Sequence, residues 1–446
     1  MAILYEYHNE VIVSQPKALK NYLHTVWQGQ YAPFRKDWPD EGDPSSGNPV
    51  RKEYQPFLDF DGNEVRARNY VGFIQLNDLH LEIYPKVFKM QRATPGLMLR
   101  HLFFWFNYCR KWRFPFVKAD LDRLENIELP ELIIYLMASK ILDTVLSTPI
   151  SLYQPVEESL QSPKGRINFS RYLSAGFLSG NHHLIDCDYE LSLFDNKLNR
   201  IIKYCARILL KRTCRIENQQ ILEELIFILD EVEDQAFHSM ELDTIVVNPL
   251  FSDYEDVKEI CRTVLDQLLY ANQQYDLSQW CLLFPMEYIF EDFIAGFLAA
   301  RFSNTWKIEY QKSNLYLSSD PEVFRMQHDI FLTRRDMPAE KIIVDAKYKL
   351  RNGDLKTDKK KGIAQADMYQ MVSYAVRRGV NKVLLLYPNQ GVSLKEPDRF
   401  IVRSGFPGAA EITIVAAEIP FWSIADFDSL PEQLYWALDN ILKGFY

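Results

Sequence analysis

The order of helical and strand-like segments after residue 281 constrains the fold of this chain more than any other feature. A helix is predicted first, because apolar residues recur at helical spacing at Met286, Phe290, Phe293, Ile294 and Phe297. The periodicity then predicts strands at 306–310, 326–333 and 341–350, a helix at 363–377 and a strand at 382–387. Such an α-β-β-β-α-β order is typical of a compact α/β unit with a mixed sheet. Strands at 399–403 and 411–417 and a helix at 431–442 complete the prediction.

The chain before residue 281 reads differently. Two short apolar runs, 70–76 and 79–84, flank the turn pair Asn77-Asp78 and predict a hairpin. Residues 40–48 have the composition of a loop, and 165–169 reads as a short strand or turn. Helical spacing recurs in the middle of the chain, at 97–108, 132–145, 198–210, 221–232 and 257–269. We therefore predict a multidomain α+β protein with a β-rich domain at 1–95, a mostly helical region at 96–280 and an α/β domain at 281–446.

Composition excludes several classes of protein. The 446 residues include no apolar run long enough to span a membrane, and the N-terminus has no basic region typical of a signal peptide. The six cysteines are scattered without a Cys-x-x-Cys pair, which favours a reducing cytoplasm over a disulfide framework or a zinc knuckle. The net charge of -9 argues against a protein that coats nucleic acid without specificity.

The strand predicted at 341–350 carries the candidate chemistry. Strand periodicity places Asp345, Lys347 and Lys349 on one face, so a carboxylate and an ammonium lie side by side. The preceding strand carries Asp329, and if the two strands pair, Asp329 and Asp345 converge on one cation. Mg²⁺ prefers a few carboxylate oxygens and keeps water positions open for a phosphate. A lysine beside such a site stabilises the reacting phosphate, which is the logic of phosphodiester hydrolysis.

The tripeptide Asp/Glu-x-Lys is not informative by itself, since it occurs five times in this chain. Only residues 345–347 cap an apolar strand and follow a second Asp-bearing strand by 16 residues. The alternative interpretation is a structural salt bridge at the end of a strand.

Neighbouring segments extend the candidate site. On the next helix, Gln370 and Tyr374 lie one turn apart and are candidates to contact a DNA phosphate or to support the metal site. Glu291, on the helix at 286–301, is a candidate third metal ligand, although a solvent-facing glutamate is an equal alternative. Residues 341–361 hold eight basic against three acidic residues, so Lys349 and the run Lys359, Lys360 and Lys361 are candidate phosphate contacts, with a solvated loop as the alternative.

Other catalytic motifs are missing from the sequence. It contains no Gly-x-x-x-x-Gly-Lys-Ser/Thr loop, so we predict no nucleotide-binding site in this chain. It also lacks a Gly-x-Ser-x-Gly elbow and a His-Glu-x-x-His motif. His182 and His183 form an isolated pair that reads as a surface turn, and His328 is predicted to point away from Asp329.

Three segments together resemble the PD-(D/E)xK nuclease superfamily: MQHDIFL at 326–332, IVDAKY at 343–348 and DMYQMVSYA at 367–375. The Gln-x-x-x-Tyr helix is of the kind found in its RecB-like branch, and His328 stands where the superfamily name expects a structural proline. More narrowly, the chain resembles the McrC nuclease subunits of McrBC modification-dependent restriction systems. That resemblance extends to YVGFI at 70–74, LEIYPK at 81–86, GRIN at 165–168, NKLNR at 196–200 and LFPM at 283–286.

The resemblance implies a restriction-endonuclease-like fold for residues 281–446 and a Mg²⁺-dependent DNA endonuclease. It also implies an McrB-like AAA+ GTPase hexamer as partner, which binds the GTP and the modified DNA while the β-rich N-terminal part docks in its ring. Two alternatives stay open. One is a stand-alone RecB-like repair nuclease, and the other is a non-catalytic activator of an AAA+ partner.

Overall fold

The computed structural model describes residues 2–30, 55–89, 91, 93–110, 128–177, 183–269, 279–310, 315–326, 328–351, 358–391, 393–403 and 410–445. The chain forms two compact units. The first contains Met1–His24, Glu41–Leu129 and Cys281–Tyr446, and the second contains Thr25–Asp40 and Pro130–Trp280. Of the sequence-based predictions, the loop at 40–48 and the residue His182 lie outside the described residues.

Helices and strands alternate along both units. The helices are α1 (Pro16–Gln30), α2 (Pro95–Tyr108), α3 (Leu129–Ser147), α4 (Phe169–Arg171), α5 (Lys197–Arg212), α6 (Ile216–Ile228), α7 (Asp253–Leu269), α8 (Met286–Phe302), α9 (Gln365–Arg378) and α10 (Leu430–Lys443). The strands are β1 (Ala2–Tyr5), β2 (Glu10–Ile12), β3 (Leu58–Asp61), β4 (Glu64–Ala67), β5 (Tyr70–Leu76), β6 (Leu79–Tyr84), β7 (Leu152–Leu160), β8 (Arg166–Ile167), β9 (Ile185–Leu193), β10 (Gln279–Pro285), β11 (Trp306–Tyr310), β12 (Leu315–Ser319), β13 (Glu322–Met326), β14 (Ile330–Arg334), β15 (Lys341–Ala346), β16 (Lys382–Pro388), β17 (Asp398–Val402) and β18 (Ile412–Ile419).

A six-stranded mixed sheet forms the centre of the first unit, in the order β11-β14-β15-β16-β18-β17. The strands β11, β14 and β15 pair antiparallel, while β15, β16 and β18 run parallel. Helix α9 connects β15 to β16, and its Met371 and Ala375 pack on Ile343 and Leu385 of the sheet. The predicted mixed sheet is therefore present, and the residues after β15 leave the sheet beside α9.

Two strand predictions in this region were wrong in extent. Residues 326–333 are not one strand, because β13 ends at Met326 and β14 begins only at Ile330. The strand predicted at 341–350 ends at Ala346. The β12–β13 hairpin was not predicted, and its residues are mostly exposed. Strand periodicity predicts a strand only where one face is buried, so it missed this hairpin.

A second sheet of the first unit joins distant parts of the chain, in the order β1-β6-β5-β10. The predicted hairpin of β5 and β6 is confirmed, with its turn at Asn77 and Asp78. At Gly72 the φ angle is +136°, and a Cβ atom there would lie 2.0 Å from the carbonyl oxygen of Leu282. Only glycine allows β10 to approach β5 so closely.

The N-terminal and C-terminal segments of the first unit share a core. The ring of Trp105 on α2 stacks on Phe421 at 3.9 Å, and its Nε1–H donates to the Phe421 carbonyl at 2.9 Å. Helix α8 crosses α2 at Gly296, where a Cβ atom would lie 1.7 Å from the Tyr108 carbonyl oxygen. Met1–His24 and Glu41–Leu129 fold into one compact unit with Cys281–Tyr446. The predicted domain boundaries at residues 95 and 280 stay a prediction.

The second unit contains α3, α5, α6 and α7 together with a three-stranded sheet in the order β7-β9-β8. The helical character predicted for the middle of the chain is present, and β8 lies in the segment predicted as a short strand or turn. The strands β7 and β9 were missed. Helix α6 ends at Ile228 rather than at the predicted residue 232.

None of the helices in the described ranges has the length and apolar character needed to cross a membrane. All six cysteines are free thiols; Cys214 is exposed, and the others are buried.

Candidate functional site

The antiparallel pairing of β14 and β15 brings the two predicted aspartates together. Ile330 lies opposite Val344, so Asp329, one residue before β14, lies next to Asp345 near the end of β15. The Asp329 carboxylate accepts a hydrogen bond from the Ala346 N–H at 2.9 Å. The residue as a whole is partly exposed, but its carboxylate is turned inward. The bend before β14 thus points one carboxylate at the backbone that carries the other.

Asp345 is buried, with only 1% of its surface exposed, and Lys347 is its ion-pair partner. The Lys347 Nζ atom lies 2.8 Å from Oδ2 of Asp345. Burial raises the pKa of Asp345, and Lys347 opposes this shift. Burial alone would lower the pKa of Lys347, but the carboxylates of Asp345 and Asp329 outweigh it and raise that pKa. Lys347 is therefore a cation over the whole physiological range of pH.

Asp329 is the acid of the cluster whose ionisation is most opposed by its surroundings. Burial raises the pKa of Asp329 well above its usual range, and the nearby carboxylates of Asp345 and Glu291 raise it further. Lys347 and the Ala346 N–H only partly offset these effects. The raised pKa of Asp329 thus reflects burial together with repulsion between acidic groups.

Helix α9 supports Lys347 from the side. The Lys347 Nζ donates to Oε1 of Gln370 at 3.2 Å, and the Gln370 Nε2 donates to the Tyr374 hydroxyl at 2.8 Å. Tyr374 is buried, and burial raises its pKa. The structure thus places Gln370 against Lys347 and Tyr374 against Gln370, and the roles predicted for them, contact with a DNA phosphate or support of a metal site, stay predictions.

Neither Lys347 nor Lys349 lies on the strand with Asp345, because β15 ends at Ala346. The Lys349 Nζ atom lies 3.1 Å from both carboxylate oxygens of Asp367 on α9. Asp367 is a site residue that the sequence analysis did not include, although it lies on the same helical stripe as Gln370. It is buried and contributes to the raised pKa of Asp345.

The predicted third ligand, Glu291, lies on α8 and is partly exposed. It contributes to the raised pKa of Asp329. Within the described ranges, no three His, Cys, Asp or Glu side chains lie close enough together to hold a metal ion. The role of Glu291 as a ligand stays a prediction.

The basic run Lys359, Lys360 and Lys361 forms a turn, in which Lys359 and Lys360 are exposed. The turn is held from inside by Asp358, whose carboxylate accepts from the backbone N–H groups of Lys360 and Gly362 at 2.9 and 2.8 Å. It therefore has a defined shape.

Arg351 fixes this turn to the sheet. The buried guanidinium donates to the Lys361 carbonyl at 2.9 and 2.6 Å and to Asp398 of β17 at 2.5 Å. Sequence analysis counted Arg351 only as part of the basic stretch, and a lone arginine in a charged run gives no signal that it is buried.

His328 is buried beside the cluster. Its ring makes edge-to-face contacts with Phe331 and Tyr374, at centroid distances of 5.6 and 6.3 Å. The position next to Asp329 is therefore filled by an aromatic ring that packs against α9.

These features define a class of protein: a multidomain α/β chain whose mixed sheet carries two converging aspartates and a lysine at the end of a central strand. A family model described as "McrBC 5-methylcytosine restriction system component" matches residues 65–388. Because this match covers most of the sequence, the chain belongs to that family. The resemblance to McrBC components that the motifs indicated is confirmed.

Two solved structures from Thermococcus gammatolerans are similar in fold. One is a refined half-complex from a tetradecameric assembly of McrB AAA+ hexamers with bound McrC; it matches with a TM-score of 0.71 and 20% identity over 99% of this chain and 100% of that chain. The other is a cryo-EM structure of the McrBC complex, with a TM-score of 0.51 and 21% identity over 68% of this chain and 88% of that chain. At these identities the likeness concerns the fold. A comparison with curated proteins gave no match.

Proposed function

We propose that this chain is the McrC-type endonuclease subunit of a GTP-dependent, modification-dependent restriction complex and that it cleaves DNA phosphodiester bonds with Mg²⁺. The observation that carries the proposal is the convergence of Asp329, Asp345 and Lys347, with Lys347 held by Gln370. In this proposal residues 281–446 form a PD-(D/E)xK nuclease domain.

The residues fit a magnesium ion. Oδ2 of Asp345 is buried, and its partner is the Lys347 ammonium at 2.8 Å, so a metal ion bound to this carboxylate would share it with Lys347. Mg²⁺ is commonly held by only one or two protein carboxylates, with water and substrate phosphate as its other ligands. Asp329 and Asp345 would therefore hold the ion, with Glu291 as a candidate third ligand. When bound, the ion would polarise the phosphate and lower the pKa of an attacking water.

Lys347 contributes charge rather than base catalysis. Its raised pKa keeps it protonated, so it stabilises negative charge that develops on the phosphate during hydrolysis. Gln370 and Tyr374 fix the direction of its ammonium group, which limits the motion that would weaken this stabilisation.

The partner follows from family membership and from the sequence. The similar Thermococcus gammatolerans assembly contains McrB AAA+ hexamers with bound McrC. We propose that this chain likewise binds an McrB-like AAA+ GTPase hexamer through its β-rich N-terminal part. The partner would bind the GTP, because this sequence contains no phosphate-binding loop. It would also deliver modified DNA to the nuclease site.

The test is cleavage of modified DNA by the full chain with its AAA+ partner, GTP and Mg²⁺. We expect Asp345→Asn and Asp329→Asn to abolish cleavage while stimulation of GTP hydrolysis persists, since only cation ligands are lost. The matched control is Asp336→Asn, an exposed aspartate in the turn between β14 and β15, which should cleave normally. Cleavage by Asp345→Asn would refute the site. Cleavage by the wild type without any partner would favour the stand-alone nuclease, and GTPase stimulation without cleavage would favour the non-catalytic activator.

The basic turn has its own test. We expect replacement of Lys359, Lys360 and Lys361 by Gln to weaken DNA binding and to flatten its salt dependence, because each lost phosphate contact removes about one released counterion. Lys307→Gln, an exposed lysine on β11, is the control. Equal salt slopes for the wild type and the triple variant would leave the run as a solvated loop.

A further inference from the structure

A carboxylate from the start of the chain lies next to the nuclease site. Glu6 follows β1, and none of its surface is exposed. Its Oε2 accepts hydrogen bonds from the Lys86 N–H at 3.0 Å and from the Tyr348 hydroxyl at 2.8 Å. Tyr348 is the residue directly after Lys347, so the N-terminal segment contacts the chain one residue beyond the proposed catalytic lysine.

Lys86 contacts the same tyrosine from the other end. Its Nζ donates to the Tyr348 carbonyl oxygen at 3.0 Å and lies 4.1 Å from the centre of the Tyr348 ring. The hydroxyl, the ring and the carbonyl of Tyr348 are thus all contacted by residues from the first 86 positions of the chain.

The surroundings leave Tyr348 little freedom. It is buried, and its ring packs against Phe290 of α8 and Phe421, at centroid distances of 5.8 and 6.0 Å. On the preceding residue, the Lys347 N–H donates to the Leu386 carbonyl at 2.8 Å. The backbone between this bond and the Tyr348 carbonyl determines where the Lys347 side chain starts.

We propose that Glu6 and Lys86 are positioning residues for Lys347, acting through Tyr348. The N-terminal sheet then completes the nuclease site, and a change in β1 or β6 on partner binding would reach Lys347 by this route. The inference rests on the proposed nuclease function, because only that function gives Lys347 a catalytic role.

The physical reason is that Tyr348 directly follows Lys347 in the chain. The Lys86 ammonium holds the Tyr348 carbonyl, and rotation of that peptide would redirect the chain from which Lys347 reaches Asp345 and Gln370. A displacement of about 1 Å at a catalytic group costs up to about 100-fold in rate. Substrate binding involves other residues, so a displaced Lys347 should lower kcat and leave KM unchanged.

The experiment compares Lys86→Met with Lys89→Met in the full chain with its partner. Lys86→Met keeps the length of the side chain and removes the ammonium, whereas Lys89 is an exposed lysine three residues along the chain. We expect Lys86→Met to lower kcat for DNA cleavage by at least about tenfold with KM unchanged. Lys86→Arg should restore most of the rate, and Lys89→Met should match the wild type.

A second measurement does not depend on cleavage. Hydrogen exchange at the amides of residues 347–349 in the metal-free protein should be faster in Lys86→Met and in Tyr348→Phe than in Lys89→Met. Tyr348→Phe removes a single hydroxyl and keeps the ring, so it carries the test if Lys86→Met does not fold. Unchanged exchange in both variants, or a kcat of Lys86→Met within twofold of the wild type, would overturn the inference. An inactive wild type would instead count against the proposed nuclease, and exchange alone would then decide the positioning role.

Discussion

Replacement of Lys347 by Met tests the electrostatic design of the site. Methionine keeps a side chain of similar length and removes the ammonium group that lies 2.8 Å from Asp345. The two partners are not equally exposed: 1% of the Asp345 side chain is accessible, against 17% of Lys347. Loss of the lysine therefore leaves a buried carboxylate without its counter-ion, whereas loss of the aspartate leaves an ammonium group that can still reach water.

The magnitude follows from this asymmetry. Removing one partner of a buried ion pair typically costs about 3–5 kcal/mol. The protein can limit the cost by keeping Asp345 protonated, since each unit between the pKa and the working pH corresponds to about 1.4 kcal/mol. The folded-state pKa of Asp345 is already raised, so in Lys347→Met the folded protein holds a proton that the unfolded chain releases. The stability of this variant should therefore fall as the pH rises.

The assay is a double-mutant cycle with Lys347→Met, Asp345→Asn and the double variant in the metal-free protein. Native-state hydrogen exchange at the amides of β15 gives the free energy of opening for the sheet itself, which matters in a chain with two compact units. We expect Lys347→Met to cost more than Asp345→Asn, and the double variant to cost no more than Asp345→Asn alone. If the double variant loses the sum of the two single costs, the pair is not coupled and the reasoning fails.

Three further predictions concern other parts of the first unit. Gly296→Ala should force α2 away from α8 and destabilise the protein by about 3 kcal/mol or more in thermal denaturation, whereas Gly391→Ala, where a Cβ has open space, should be neutral. Because burial and nearby carboxylates raise the pKa of Asp329, calorimetry should show Mg²⁺ affinity that increases with pH and proton release on binding, both weaker in Asp329→Asn. Burial also raises the pKa of Glu6 to about 7. The free energy of unfolding of the wild type should therefore fall by about 3 kcal/mol as the pH rises from the ordinary pKa of a glutamate to 7. In urea denaturation, Glu6→Gln should lack this fall.

The part of the site that the sequence predicted depends on local pairing. Asp329 directly precedes β14 and Asp345 lies on β15, and a short turn joins these two strands, so the approach of the aspartates follows from one antiparallel register. Gln370 and Tyr374 lie one helical turn apart, and their mutual hydrogen bond follows from helix geometry alone. The β5–β6 hairpin was predicted for the same reason, from a turn pair between two apolar runs.

The predictions that failed concern long-range contacts and exposed strands. The pairing of β10 with β5 joins segments about 200 residues apart, and nothing in either segment specifies its partner. The hydrogen bond from Tyr348 to Glu6 spans 342 positions and could not be predicted for the same reason. The strand β7 was missed because it includes a proline and its described residues are largely exposed. The strand β9, IDCDYELSL, alternates apolar and polar residues, so its signal was present in the sequence and was overlooked.

The same long-range contacts determine how the chain can be dissected. The proposed catalytic residues all follow position 281. The core beneath them also contains earlier parts of the chain, because Trp105 stacks on Phe421 and the Tyr108 carbonyl lies against Gly296. A fragment that begins at 281 would expose these aromatic faces to water and would lose the contacts of Glu6 and Lys86 with Tyr348. Weak cleavage by such a fragment would therefore not separate loss of the partner from loss of the site. Point variants in the full chain make that separation, because each removes one contact and leaves the shared core in place.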